Sequence, residues 1–426
     1  MTVRALRPTQ VRGRLAAPPS KSYTHRALVT AFLARRPTTV ENPLDAEDTR
    51  ATREGLRILG ARVRGSHREW RVDATELVPR WKRVIRCGES GTTWRFLSAV
   101  ASLQSEPVRF EGAARLAVRP MAEFNTALRS LGATVHTPSG RRGLPCTVHG
   151  PIHAGHVVVG GGVSSQFTSA LLMVLPTLRG RSDLEIRGRP VSRPYVDATC
   201  AVLRDRGVAV SGTRRGFVIP GSQHYRGGRI KVPGDASSAA YLWAAAAVTE
   251  GSVEVDGVST ALPQADLAIL PILARMGAKV RSTSEGVRVS GPISRPVSVD
   301  LTDSPDLFPL VAVLSAFVPG RKSRLRGAPH LEFKESNRRE ESIRLVRALG
   351  ARVSSTPAGV HILGTGTPRS LNLPSLQDHR LVMSAAVAAL AAKGVSHIGR
   401  AEAVSKSFPG FWDALGLLTR GGEQVV

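Results

Sequence analysis

Polar and apolar positions along this chain fall into two helix patterns that return at a fixed interval. The first is the end of an amphipathic helix, a glycine and a short β-branched run: "LRILGARV" with Gly60, "LRSLGATV" with Gly132, "VLRDRGVAV" with Gly207, "LARMGAKV" with Gly277 and "VRALGARV" with Gly350. Successive glycines lie 72, 75, 70 and 73 residues apart. A glycine can close a helix in the left-handed conformation, so each phrase predicts helix, C-cap and strand. The second pattern opens on a polar residue and then runs apolar on every face. It is found in "SYTHRALVTAFLA" from Ser22, "SGTTWRFLSAVAS" from Ser90, "SQFTSALLMVLP" from Ser165, "SSAAYLWAAAAV" from Ser237, "DLFPLVAVLSAF" from Asp306 and "DHRLVMSAAVAALAA" around His379. These openings step by 68, 75, 72, 69 and 73 residues. A helix apolar all round is buried, and its polar first residue predicts an N-terminus at a polar surface. The two phrases together predict six α/β units, each with two helices and several short strands.

A chain of 426 residues exceeds the roughly 250 to 300 at which one core stops growing, so two domains are expected. With 42% hydrophobic but only 5% aromatic residues, aliphatic side chains must supply most of the packing. Cys87, Cys146 and Cys200 are odd in number and far apart, which predicts three reduced packing residues. The longest apolar run, "AAYLWAAAAV", ends at Thr249 and Glu250, short of the roughly 18 residues that would predict a membrane span. The start of the chain is rich in Arg and free of acid like a transit peptide, but it lacks an apolar signal core, and a cytoplasmic protein is the expectation.

The net charge of +26 fits either a nucleic-acid surface or a cleft for small polyanions. Its basic residues are scattered, with no basic arm and no aromatics at stacking intervals, which argues against nucleic acid. "VVVGGGVSSQ" lacks the Lys and Ser/Thr of a phosphate-binding P-loop. His153 and His156 have no third metal ligand near them in sequence, so no metal site is predicted.

The stretch "APPSKSYTHRALVTAFLA" sharpens the polyanion reading. Ser20 or Ser22 is a natural N-cap, but a helix N-terminus repels the positive charge of Lys21 and Arg26. Cations placed there predict that something negative docks at that end. A repeat protein that only scaffolds would present like repeats to solvent, whereas the six openings differ in most of their polar residues beyond a leading Ser or Asp. That mismatch points to one shared site lined by helix N-termini.

Read in order, the openings and their neighbours supply "SKSYTHR" (Lys21, Ser22, Arg26), "CGESGTTWRF" (Glu89, Gly91, Thr92, Arg95), "RLAVRP" (Arg119), "GGGVSSQF" (Ser164, Ser165, Gln166), "VSRPYVD" (Ser192, Tyr195), "SPDLFP" (Asp306), "HLEFKESNR" (His330, Lys334, Glu335, Arg338), "DHR" (His379, Arg380) and "SKSFP" (Lys406). In this order and spacing they resemble the 5-enolpyruvylshikimate-3-phosphate synthase family of enolpyruvyl transferases. The resemblance runs from Lys21 to Pro409.

The resemblance implies a two-domain inside-out α/β barrel, with three βαβαββ units per domain and the active site in the cleft between domains that close on the substrates. By analogy residues 1–17 and 232–426 form a discontinuous domain and 18–231 a continuous one. The implied substrates are phosphoenolpyruvate and shikimate 3-phosphate, with no cofactor, and the family's tendency is a monomer. The implied phosphoenolpyruvate residues are Lys21, Gly91, Arg119, Gln166, Arg338, Arg380 and Lys406. Those for shikimate 3-phosphate are Lys21, Ser22, Arg26, Ser164, Ser165, Gln166, Ser192, Tyr195, Asp306, His330 and Lys334. Asp306 matches the carboxylate that takes the hydroxyl proton and Glu335 the one that exchanges the methylene proton, with Lys21 as a further catalytic group. Both substrates carry a phosphate and a carboxylate, which is why so many Arg forks are needed.

Four positions depart from the commoner bacterial pattern: Glu89 for Asn, Phe96 for Pro, His330 for Asn and Asn337 for Asp. Arg95 is expected to offset Glu89. Within the same fold a rival is the UDP-N-acetylglucosamine enolpyruvyl transferase, which usually carries a loop Cys that "GAARLAVRPM" lacks. A paralogue acting on a different acceptor and a non-catalytic basic binding protein are two more functions the same fold could serve.

Overall fold

The computed structural model describes residues 2–78, 83–138, 143–327 and 329–419. Two compact units divide the chain: Met1–Pro18 with Gly234–Val426, and Pro19–Pro233. The continuous unit thus begins one residue and ends two residues later than the 18–231 expected from the sequence. Each unit closes its own seam through backbone hydrogen bonds, Ser20 N to Pro233 O in the continuous unit and Asp235 N to Pro18 O in the discontinuous one, both 2.8 Å.

The continuous unit holds three four-stranded sheets that share one topology. In the second, Val84–Arg86 lies parallel to Val108–Glu111, which pairs antiparallel with Cys146–His149, and Thr134–His136 forms the far edge. The third repeats this with His156–Gly160, Ser182–Arg187, Gly216–Ile219 and Ser211–Thr213. The first sheet takes its parallel strand from the other end of the unit: Gly228–Lys231 pairs with Thr38–Glu41. The discontinuous unit does the same, since Arg12–Ala16 pairs parallel with Ser252–Asp256. The sixth unit departs from the predicted pattern. Its sheet has three strands among the described residues, Asn372–Leu373, Ser396–Gly399 and the antiparallel Val3–Leu6.

Helices that the pattern marked as apolar all round form the inside of each unit. Lys21–Leu33, Gly91–Ala101 and Ser165–Val174 contact one another in the continuous unit, and Ala236–Val248, Phe308–Ala316 and His379–Ala389 do so in the discontinuous one. Every residue of Phe308–Ala316 and of His379–Ala389 is buried. The run of alanines in Ala236–Val248 leaves little bulk between backbones, so aliphatic residues of neighbouring helices fill the core at close range. The amphipathic helices Glu47–Ile58, Ala122–Ser130, Arg193–Asp205, Ile269–Met276 and Arg338–Ala348 lie outside them. All five of the repeating glycines that follow these helices have positive φ, from +78° at Gly207 to +112° at Gly277. The helix ends are therefore closed as the sequence predicts. Cys87 and Cys146 are buried free thiols and Cys200 a partly buried one.

Candidate active site

In the discontinuous unit the predicted residues converge on one buried guanidinium. Arg338 opens the helix Arg338–Ala348, whose N-cap Asn337 accepts from Glu340 N at 3.3 Å. Its side chain is 1% exposed and meets three carboxylates. Nε donates to Asp378 Oδ2 at 2.7 Å, Nη1 to Asp306 Oδ1 at 2.6 Å and Nη2 to Glu335 Oε2 at 2.7 Å. Burial opposes its charge, but Asp378, Glu335 and Asp306 hold the guanidinium protonated well above its usual range.

Asp306 lies in the short turn Pro305–Leu307 that leads into Phe308–Ala316. It is not the N-cap; its carboxylate is turned to the cations. Arg380 Nη2 donates to Oδ2 at 3.2 Å, and Lys334 Nζ stands 3.6 Å from Oδ1. Burial alone would raise its pKa, yet Lys334, Arg380 and Arg338 outweigh that and hold the carboxyl well below the usual range. Lys406 Nζ is 4.0 Å from Glu335 Oε1. His330 is 3% exposed, and neither ring nitrogen has a hydrogen-bond partner among the described residues. Burial, with Lys334 second, pushes its pKa down to about 4, so the ring is neutral near pH 7.

The continuous unit gathers the remaining residues in two groups. Gly91 opens Gly91–Ala101 behind its N-cap Ser90, whose hydroxyl accepts from Thr93 N. A Cβ at Gly91 would stand 2.8 Å from Arg119 Nη1 and 3.2 Å from Arg95 Nη1, so the absent side chain leaves room for both guanidinium groups. Arg95 Nη1 donates to Gln166 Oε1 at 2.6 Å, and Gln166 Nε2 donates to Thr92 Oγ1 at 2.9 Å. Ser164 caps the helix Ser165–Val174 by accepting from Gln166 N. Arg95 also donates to Pro120 O at 3.3 Å, so it ties Gln166 to the end of the Arg119 segment, a supporting role that nothing in its own stretch of sequence announces.

The second group surrounds Lys21. Its Nζ donates to Asp48 Oδ2 at 3.0 Å. Ser20 occupies the N-cap position of Lys21–Leu33 without a side-chain cap bond, so its hydroxyl is not the start signal expected from the sequence. Arg26 is 2% exposed and tied inward: Nε donates to Thr199 Oγ1 at 2.8 Å, Nη1 to Ser22 O at 2.9 Å and Nη2 to Tyr195 O at 2.7 Å. Its guanidinium also lies 5.5 Å from the Phe96 ring centroid. Burial pulls its pKa down to about 10, which still leaves it charged near neutrality. Ser192, at positive φ, precedes the helix Arg193–Asp205 that carries Tyr195 and Thr199.

Comparison with known proteins decides what this arrangement belongs to. A family model described as EPSP synthase (3-phosphoshikimate 1-carboxyvinyltransferase) matches residues 6–415. A 3-phosphoshikimate 1-carboxyvinyltransferase of Thermococcus kodakarensis is 41% identical over 408 residues, covering 95% of this chain and 97% of its own. One from Methanocorpusculum labreanum is 37% identical over 406 residues, covering 95% of each chain. This chain belongs to the EPSP synthase family. A solved EPSP synthase from Acinetobacter baumannii superposes with a TM-score of 0.82 at 24% identity over 98% of each chain, which places the fold with that enzyme.

Three carboxylates within this EPSP synthase fold are not foreseen from the sequence. Asp378, fully buried, both caps His379–Ala389 through Arg380 N at 2.8 Å and anchors Arg338. Its place directly before "HR" at the start of an apolar helix is the available signal. Asp48 holds Lys21 and lies in "DAEDTR", where several acids compete for notice. Asp266 accepts from Ser237, and nothing in "PQADLA" marks it. Among the described residues no group of three or more His, Cys, Asp or Glu is placed to hold a metal, and no helix is long and apolar enough to cross a membrane.

Proposed function

We infer that this protein transfers the enolpyruvyl group of phosphoenolpyruvate to the 5-hydroxyl of shikimate 3-phosphate and releases phosphate. Membership of the family, across nearly the whole chain, supports the activity. The observation that carries the chemistry is that Asp306 and Glu335 accept from two nitrogens of one buried guanidinium. Two carboxylates are held on either side of a fixed cation, which is what a reaction with a paired proton acceptor and donor needs.

Glu335, protonated once the bound anions draw Arg338 and Lys406 to themselves, delivers that proton to the methylene carbon of phosphoenolpyruvate, while Asp306 takes the proton from the 5-hydroxyl as its oxygen bonds to the adjacent carbon. The tetrahedral adduct then returns the methyl proton to Glu335, the carbon–oxygen bond to phosphate breaks, and the proton held by Asp306 passes to the departing phosphate. Asp306 starts ionised but weakly basic, because Lys334, Arg380 and Arg338 depress it. Anionic substrates drawing those cations to themselves raise its basicity when the hydroxyl arrives. Arg119, Arg338 and Arg380, with Lys21, Gly91, Gln166 and Lys406, hold phosphoenolpyruvate. Ser22, Arg26, Ser164, Ser165, Gln166, Ser192, Tyr195, His330 and Lys334, with Lys21, hold shikimate 3-phosphate. In this assignment Arg26 acts at one remove, by fixing the helix start and the Tyr195 backbone, and neutral His330 offers an uncommitted N–H to the phosphate.

The test is phosphate release from phosphoenolpyruvate with shikimate 3-phosphate and, in parallel, with UDP-N-acetylglucosamine. Release with the shikimate ester alone is expected. Release only with the sugar nucleotide, or with neither, overturns the assignment.

A further inference from the structure

Asp266 belongs to none of the groups assigned to substrate, yet it is joined to the reacting pair through a short hydrogen-bond path. It lies in the turn Ala265–Ala268 and is 1% exposed. Oδ2 accepts from the Ser237 hydroxyl, while Oδ1 has no hydrogen-bond partner among the described residues. Ser237 Oγ accepts in turn from Arg380 Nη2 at 3.2 Å, and that same nitrogen donates to Asp306 Oδ2 at 3.2 Å. One guanidinium nitrogen is shared between Asp306 directly and Asp266 through a hydroxyl.

The framework around this path is fixed on both sides. Gln264, two residues before Asp266, accepts from Ala236 N at 2.9 Å and donates to Gly234 O at 3.0 Å. Ser304, two residues before Asp306, donates to Ala265 O at 2.7 Å. The turn that carries Asp266 is therefore pinned to the helix start that carries Ser237 and to the turn that carries Asp306. A buried carboxylate with an unmet oxygen carries a desolvation cost, which the bond from Ser237 offsets at Oδ2 but not at Oδ1.

We infer that Asp266 is a positioning residue of the transfer reaction: through Ser237 it aims Arg380 and competes with Asp306 for the charge of that guanidinium. The inference rests on the reading above that Asp306 and Arg380 act on the substrates. When Asp266 is ionised the Ser237 hydroxyl must donate to it, which turns a lone pair toward Arg380 and completes a one-way path from Arg380 to Ser237 to Asp266. When Asp266 is protonated that demand lapses, and Arg380 is released toward Asp306. The charged groups facing Asp266 are Asp306 and Arg380 and, at the cap of Ala236–Val248, Asp235. Burial first, then Asp306, push its carboxyl up to about 6 against the pull of Arg380 and Ser237, so the switch falls within the range where the enzyme can be assayed. Two neighbouring carboxylates driven in opposite directions by their surroundings is the arrangement that divides roles between them.

The experiment follows phosphate release across roughly pH 5 to 8.5 for the unmodified protein, Asp266→Asn, Asp266→Glu and Ser237→Ala, with thermal melting of each. Asp266→Asn is expected to raise KM for phosphoenolpyruvate by about tenfold or more, to lower kcat, and to remove the acid limb near pH 6. Ser237→Ala should move KM in the same direction, and Asp266→Glu should restore part of the limb. Folded variants whose KM, kcat and pH profile superpose on the unmodified protein overturn the inference, whatever their melting temperatures. If Asp266→Asn does not fold, Ser237→Ala alone decides by the same criterion. Failure of the unmodified protein to release phosphate sinks the functional reading instead, and so is told apart.

Discussion

Arg338 Nη1 stands 2.6 Å from Asp306 Oδ1 and Nη2 2.7 Å from Glu335 Oε2, so the proposed proton acceptor and proton donor are fastened to one side chain. Replacing Asp306 by Asn keeps the shape and most of the hydrogen bonding but removes the base. The expected result is a fall in kcat of roughly 10² to 10⁴-fold with a folded protein, measured by phosphate release and circular dichroism. Asp306→Ala is the poorer variant, because it takes away the carboxylate that Arg338, Arg380 and Lys334 share.

Arg338→Ala should fail for another reason. It takes the guanidinium from wholly buried Asp378 and one cation of several from Asp306 and Glu335, and the loss of one partner from such a buried group costs about 3 to 5 kcal/mol. Chemical denaturation should show that loss directly, and an Arg338→Ala protein as stable as the original refutes the cluster.

At Gly91 the consequence is local. The nearest atoms to a methyl there are the ends of the Arg119 and Arg95 side chains rather than backbone, so it is those guanidinium groups that must give way. Gly91→Ala should fold normally and raise KM for phosphoenolpyruvate by about tenfold, with KM for shikimate 3-phosphate little changed.

Acid stability should report two buried histidines. His25, hydrogen-bonded to Thr52 Oγ1 at 2.8 Å, is driven down to about 3 chiefly by burial, and His330 to about 4. Their folded pKa values lie below the unfolded value, so the stability they confer is complete above about pH 6.5 and lost as pH falls toward 3. Urea midpoints measured from about pH 7 to about pH 3 should decline over that window. The decline should be shallower in His25→Asn, and an unchanged slope would count against the neutral buried ring.

For Arg26 the three donations to Thr199, Ser22 and Tyr195 need a planar fork that an ammonium cannot reproduce. Arg26→Lys should lower the melting temperature by several degrees, equivalent to about 1 to 3 kcal/mol. An Arg26→Lys protein with unaltered stability but raised KM for shikimate 3-phosphate would show that Arg26 touches the substrate itself.

Much of the architecture is legible in the sequence because it repeats. The glycines at 60, 132, 207, 277 and 350 each end a helix for a reason intrinsic to the backbone, and the all-apolar helices declare their own burial. While Arg380 is marked by the family resemblance alone, Lys21 and Arg26 are visible as candidates, since cations near a helix start contradict the local field. Their partners are not. Asp378 and Asp48 sit at or near helix starts, where a carboxylate is ordinary, and only the fold places Arg338 and Lys21 against them. The inward role of Arg26 is likewise hidden, because Thr199 lies 173 residues away in sequence. The truncated sixth sheet depends on where the first strand of the chain pairs, which no local pattern specifies.

The pairing of Val3–Leu6 with Ser396–Gly399, and of Arg12–Ala16 with Ser252–Asp256, also fixes an order of events in the growing chain. As the protein leaves the ribosome its first strands emerge with nothing to pair with, and the continuous unit is the first that can be finished, once Gly228–Lys231 has appeared beside Thr38–Glu41. The opening segment must then wait for nearly four hundred further residues before its last sheet closes. Such late, distant closures are slow and leave strand edges bare in the interim. The segment from Val3 to Ala16 thus stays unpaired for long during synthesis, and its loss would leave the sheet of Asn372–Leu373 and Ser396–Gly399 unfinished.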